Sequence, residues 1–203
     1  MPFDFLCEDF QRILADRGIT EPTEPQREAS PKIQTGANIL LVAPTGIGKT
    51  ETAMLPIFDA LYRVKKKPGI RVLYITPLRA LNRDMMKRMT DLGRELNVTV
   101  DVRHGDTSAG DRARQSRTPP EIMITTPETL QVMFTGKNLA AHLKNVRCVI
   151  VDEIHELANT ERGAQLSIAL ERLEALSGGF QRIGLSATVG NEEEVARFLA
   201  SLR

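Results

Sequence analysis

The sequence predicts an α/β fold with a mainly parallel sheet and helices on both of its faces, on three observations. Six short β-branched apolar runs recur along the chain, and amphipathic stretches separate them. Two of the runs, Ile39-Leu40-Leu41-Val42 and Cys148-Val149-Ile150-Val151, are apolar at every position. A strand with one wet face alternates apolar and polar residues, whereas a strand covered on both faces has no polar positions to keep.

In chain order, Phe5-Leu6, Phe10 and Ile13-Leu14 recur at helical spacing and open the chain with an amphipathic helix. Strands are expected at 38–43, 71–76, 98–103, 121–125, 147–151 and 182–186, with 39–42 and 148–151 as central strands. Residues 51–62 read as an amphipathic helix. So do Leu166, Ala169-Leu170, Leu173 and Leu176, which Ser177-Gly178-Gly179 brings to an end. Loops are expected at 65–69, at 107–110 and at Thr118-Pro119-Pro120. No repeat, low-complexity tract or interdomain linker interrupts this pattern, so the whole of 1–203 reads as one domain.

With 203 residues, 41% hydrophobic and 26% charged, the chain has enough apolar surface for one good-sized core. No apolar run approaches the roughly 20 residues of a membrane span, and the start Met1-Pro2-Phe3-Asp4 lacks a signal-peptide pattern, so the reading is cytoplasmic, with no membrane partner. Cys7 and Cys148, far apart in apolar surroundings, read as reduced core residues. The net charge of +1 conceals an asymmetry. Residues 61–117 hold 14 Lys/Arg against 6 Asp/Glu, whereas 1–60 and 148–203 each hold 5 against 9. A basic island of +8 between two acidic flanks favours an anionic partner, of which nucleic acid is the common one. Lys65, Lys66 and Lys67 read as solvation of a turn.

The strongest chemical signal is Ala43-Pro44-Thr45-Gly46-Ile47-Gly48-Lys49-Thr50, between an apolar strand and an amphipathic helix. That is the context of a phosphate-binding loop, with Ala43 in place of the first glycine of the strict pattern. The loop Pro44–Thr50, through its N–H groups from Thr45 onward and the helix's positive end, would receive phosphates, Lys49 would reach the β/γ oxygens, and the Thr50 hydroxyl would bind Mg²⁺. About a hundred residues on, the run 148–151 leads into Asp152-Glu153-Ile154-His155. Two acids at a strand's C-terminal end sit where ligands bind in open α/β sheets: Asp152 would hold the Mg²⁺, and Glu153 would orient or deprotonate the attacking water. Together with Lys49 and Thr50 they point to nucleotide hydrolysis. Ser186-Ala187-Thr188 ends the last strand. By itself it is an ordinary strand end, and His155 takes a role only from its neighbours.

The order A-P-T-G-I-G-K-T, P-L-R-A-L, T-P-E-T-L, D-E-I-H and S-A-T resembles motifs I, Ia, Ib, II and III of superfamily 2 helicases. More closely, Glu24-Pro25-Gln26-Arg27-Glu28, the run 152–158 with 162–166, and the run 184–191 resemble the large helicase-related (Lhr-type) proteins. The resemblance implies a RecA-like three-layer αβα domain of the P-loop NTPase type, ATP with Mg²⁺ as cofactor, and movement along single-stranded nucleic acid. DNA is favoured; an RNA helicase domain stays open because phosphate contacts alone do not separate the two, and so does a nucleotide-gated nucleic-acid-binding module without productive hydrolysis in isolation. It further implies that Gln26 reads adenine, with Phe10 as stacking partner. His155, Ser186 and Thr188 would couple the acids to the rest of the chain. Pro77, Arg79, Asp106, Thr107 and Thr126 would contact a nucleic-acid backbone. Thr126 before Pro127 is equally well a helix cap with no further function. Ile47, where Ser or Gly is usual, departs from the family pattern. The chain ends just after motif III, so the expectation is one domain of a longer motor whose second RecA-like domain lies outside it.

Overall fold

The computed structural model describes residues 3–64, 68–77, 83–187 and 190–201. The turn expected at Lys65–Lys67, the nucleic-acid contact expected of Arg79 and the coupling role expected of Thr188 lie outside the described residues. The strands are β1 (Ile39–Val42), β2 (Val72–Ile75), β3 (Val100–Arg103), β4 (Ile122–Thr125), β5 (Cys148–Val151) and β6 (Gln181–Ser186). They form one sheet in the order β1-β6-β5-β2-β4-β3, parallel at every pairing. The helices are α1 (Glu8–Asp16), α2 (Glu24–Gln34), α3 (Lys49–Arg63), α4 (Arg83–Glu95), α5 (Ala109–Arg117), α6 (Pro127–Met133), α7 (Lys137–Leu143), α8 (Glu161–Ser177) and α9 (Glu192–Ser201).

The core has two halves because successive strand residues point to opposite faces. Val72 and Tyr74 enter one half with Phe10 and Leu14 of α1, Phe58 of α3 and Met89 of α4. Leu73 and Ile75 enter the other, with Leu130 of α6, Leu143 of α7, Leu170 of α8 and Leu199 of α9. Leu166, Leu170 and Leu173 are wholly buried, each contributing about 1.5–3 kcal/mol. Gly178, left-handed at φ 79°, stops that helix, which ends where the Ser-Gly-Gly signal placed it.

Four expectations are corrected. β5 is central, but β1 is an edge strand, and each of its residues is only half-buried. Its apolar run serves the helices on its two faces, and burial on both faces does not require a strand neighbour on both sides. Residues 109–110 are helical, not loop, because Ser108 accepts the Asp111 N–H at 3.1 Å and starts α5 early. Phe10 is fully buried among core side chains, so it offers no face to a base. Cys148 is a buried core thiol, pushed up to about 12 by desolvation, but Cys7 is only half-buried at the start of α1; both are free. Among the described residues no helix is long and apolar enough to cross a membrane.

Gly163 fixes how α8 begins. A Cβ there would run into the Leu157 carbonyl, so only glycine lets this helix approach the segment that follows the two acids.

Candidate active site

Parallel strands deliver all their C-terminal ends to one edge of the sheet, and β1, β6 and β5 are neighbours there. The loop after β1, the end of β6 and the acids after β5 therefore meet. The loop after β1 and the acids after β5 line a cleft of about 830 Å³, a suitable size for a nucleotide, together with Thr23–Gln26 of the α2 start.

Gly46 and Gly48 have φ of 85° and 87°, which lets the loop wrap back before α3. Pro44, Thr45 and Gly46 are exposed, and Ile47 is half-buried, so the departure at 47 leaves the loop geometry in place. Lys49, 8% exposed, donates to the carbonyls of Ala43 at 2.6 Å and Pro44 at 3.0 Å. Its ammonium is thus held over the concave side of the loop, ready to exchange these acceptors for phosphate oxygens.

Asp152 is buried, and both its oxygens are engaged: Oδ2 accepts from the Tyr74 hydroxyl at 2.6 Å and Oδ1 from the Glu153 N–H at 2.9 Å. Burial pushes its carboxyl above the usual aspartate range, against those two donors and Lys49, which favour the charged form. Glu153 has φ 48°, a left-handed conformation rare outside glycine, and it turns the chain sharply off β5 into the 3₁₀ turn Ile154–Glu156. Its carboxyl is raised by burial first and by the Asp152 charge second. A raised carboxyl facing a nucleotide cleft suits a proton acceptor.

His155 Nδ1 accepts the Ala187 N–H at 3.3 Å and lies 3.3 Å from Ser186 Oγ. That leaves the proton on Nε2, 3.4 Å from Glu153 Oε2. The ring bridges the acids of β5 and the end of β6, the two segments that the sequence pairs as motifs II and III.

Gln26, 6% exposed, closes the other wall. Its Oε1 accepts from the Thr23 N–H at 3.1 Å in a capping box, and a Cβ on Gly48 would come within 3.3 Å of its Nε2. The amide is thereby fixed beside the phosphate loop.

Thr50 and Asp152 offer an alcohol and a carboxylate, the hard oxygen donors that suit Mg²⁺. Among the described residues no cluster of three His, Cys, Asp or Glu could hold a metal alone. This donor set fits an ion whose remaining ligands are phosphate and water.

Of the residues expected to meet nucleic acid, Pro77, Asp106, Thr107 and Thr126 follow β2, β3 and β4 along the same edge, and Arg79 lies outside the described residues. Pro77 is buried at the end of β2. Thr107 closes the turn after β3, its Oγ1 accepting the His104 N–H at 2.9 Å. The Asp106 carboxylate is exposed, so a phosphate there would meet a like charge. Thr126 is buried, and its hydroxyl accepts the Thr129 N–H at 3.3 Å, which makes it the cap of α6. Much of the basic island is paired internally: Arg63 with Asp59 at 2.7 Å, Arg94 with Asp91 at 3.1 Å and Arg114 with Asp101 at 2.6 Å.

Two features of the cleft escaped the sequence reading. Tyr74 lies inside an apolar strand and reads as core. Arg88 of α4 lines the cleft and pairs with Glu51 at 3.1 Å across elements that nothing in the sequence connects.

What the fold and cleft define is a RecA-like P-loop domain with its acids in the DExH arrangement. The chain belongs to the DEAD/DEAH box helicase family, whose model matches residues 23–196. Within it the Lhr-type resemblance holds. The chain is 44% identical to the ATP-dependent helicase Lhr-Core of Methanothermobacter thermautotrophicus, over 96% of this chain and 24% of that protein. It is 39% identical to the Lhr helicase/uracil glycosylase of Escherichia coli, over 100% of this chain and 15% of that one. The solved Mycobacterium smegmatis helicase Lhr, bound to ssDNA and AMP-PNP, superposes with a TM-score of 0.82 at 40% identity, over 97% of this chain and 26% of that chain. This chain spans at most about a quarter of the length of these relatives.

Proposed function

We propose that this chain is the ATP-binding first motor domain of an Lhr-type superfamily 2 DNA helicase or translocase. It binds ATP with Mg²⁺ and couples hydrolysis to movement along single-stranded nucleic acid, in partnership with a second RecA-like domain of the same parent protein. The observation that carries this is the convergence of Lys49, Asp152, Glu153 and Gln26 on one cleft at the C-terminal edge of the sheet.

Each side chain has one task. Gln26 reads the adenine edge with an amide already fixed beside the loop. Pro44, Thr45, Gly46, Ile47 and Gly48 wrap the phosphates, and Lys49 neutralises the β/γ oxygens. Thr50 and Asp152 hold the Mg²⁺, which when bound withdraws charge from the phosphates. Glu153 accepts the proton of the attacking water. His155, joined to Ser186 and Ala187, transmits the state of Glu153 to the segment holding Thr188. Pro77, Arg79 and Thr107 line the track for a phosphate backbone. Asp106 and Thr126 contribute by shaping their turns.

DNA is favoured over RNA because the Lhr relative of known structure is bound to ssDNA. The test is ATP turnover by this chain alone and joined to a second RecA-like domain, each with single-stranded DNA or RNA. Turnover by the joined protein that rises most with DNA supports the reading, and equal turnover with no polymer contradicts it.

A further inference from the structure

A phenol inside an apolar strand needs a reason. Phenylalanine would fill the same space, and a buried hydroxyl is costly unless it is bonded. Tyr74, 1% exposed on β2, donates its one proton to Asp152 Oδ2 at 2.6 Å.

Resting on the nucleotide-site reading above, the geometry points to Tyr74 as a positioning residue for the metal: its buried hydroxyl donates to Asp152 Oδ2 and fixes the carboxylate that would hold the cation. A buried carboxylate must be kept from turning or protonating, and the phenol, with the Glu153 N–H on the other oxygen, does both. The signal was invisible in the sequence because β2 and β5 are sheet neighbours, with Tyr74 beside Ile150.

The test uses AMP-PNP, so that no turnover is needed. Nucleotide affinity in EDTA should be the same for the chain and for Tyr74→Phe. At saturating AMP-PNP, the Mn²⁺ concentration that half-fills the site, read by electron paramagnetic resonance, should rise roughly tenfold in Tyr74→Phe, the scale of one hydrogen bond to a charged group. A lower Tm with unchanged Mn²⁺ affinity would make Tyr74 merely structural and overturn the proposal. A second readout leaves the tyrosine in place. With Tyr62→Phe, Tyr74 is the chain's only tyrosine. The ¹⁹F resonance of fluorotyrosine at 74 should shift when Mg²⁺ joins AMP-PNP; an unmoved line counts against the proposal. Absence of metal-dependent AMP-PNP binding in the unsubstituted chain would remove the nucleotide-site reading itself, and this proposal with it.

Discussion

His155 Nε2 lies 3.4 Å from Glu153 Oε2 while the opposite ring nitrogen accepts the Ala187 N–H, so one imidazole touches both the proposed base and the end of β6. The ring is rigidly tied at one nitrogen and free to respond at the other. In the proposed role, a change in charge or position at Glu153 would reach β6 through this single side chain.

Gln26→Ala should narrow the preference for ATP over GTP. The amide is the group fixed beside the phosphate loop that can pair with two adenine edge atoms at once. Leaving a buried polar edge unpaired costs about 1–3 kcal/mol, so the ratio of the two affinities should fall roughly tenfold or more. Loss of the capping box would also lower stability by about 1 kcal/mol, but that cancels in the ratio. Competition titrations with both nucleotides decide it; an unchanged ratio rejects the adenine role.

Glu153→Gln should stabilise the fold at neutral pH. The Glu153 carboxyl is raised by burial and by Asp152, so the fold favours the neutral form and ionisation costs stability. That cost is absent below the ordinary glutamate range, near pH 4.3, and fully present above the raised value. The amide keeps an oxygen for His155 Nε2 and carries no charge. The gain in Tm over the parent should therefore appear as pH rises from 4 toward 8; a Tm difference independent of pH contradicts the assigned environment.

Gly163→Ala should be among the most damaging of small substitutions, because the added methyl meets the Leu157 carbonyl in a helix start that cannot move without shifting the acids' turn. A loss of about 2–4 kcal/mol in urea unfolding is expected, against less than 1 kcal/mol for Gly110→Ala, where the nearest atom is the Ser108 hydroxyl at ordinary contact distance. Equal effects would mean the close approach is not a constraint.

Binding of mixed-sequence single strands should be weak and strongly salt-dependent, falling by roughly 0.7 log units per tenfold rise in salt for each phosphate neutralised. Arg79→Ala should weaken all sequences alike and flatten the slope by less than one contact's worth. Because Arg63, Arg94 and Arg114 are paired with acids, their removal should change the slope less than removal of Arg79. Anisotropy titrations at several salt concentrations measure all of this; tight, salt-insensitive or sequence-selective binding contradicts it.

All six strands and the turn at Gly46–Lys49 were legible because short apolar runs and a glycine-lysine turn are local signals. What stayed hidden depends on neighbours in space. The apolar run at 39–42 gave no sign that β1 would stand at the sheet edge, since its helices cover it without a second strand. Phe10 reads as an exposed ring near the adenine only if α1 is placed wrongly; packing against α3 buries it. Thr126 sits in the same local sequence whether or not it also meets a phosphate, and its bond to Thr129 shows only that it caps α6. Tyr74 and the Arg88–Glu51 pair required the order of the strands and the packing of α4 before they could be seen at all.

The most direct test of the account is titration of this chain with fluorescent AMP-PNP and Mg²⁺, comparing Lys49→Ala with Glu153→Gln. Lys49 is proposed to contact phosphate, so its removal should weaken affinity at least tenfold, the scale of one charged hydrogen bond. Glu153 is proposed to act on water, so its amide should bind with near-parental affinity and fail only in turnover. Weakening of both variants to the same extent, or of neither, would contradict the division of labour between the loop and the acids on which the account stands.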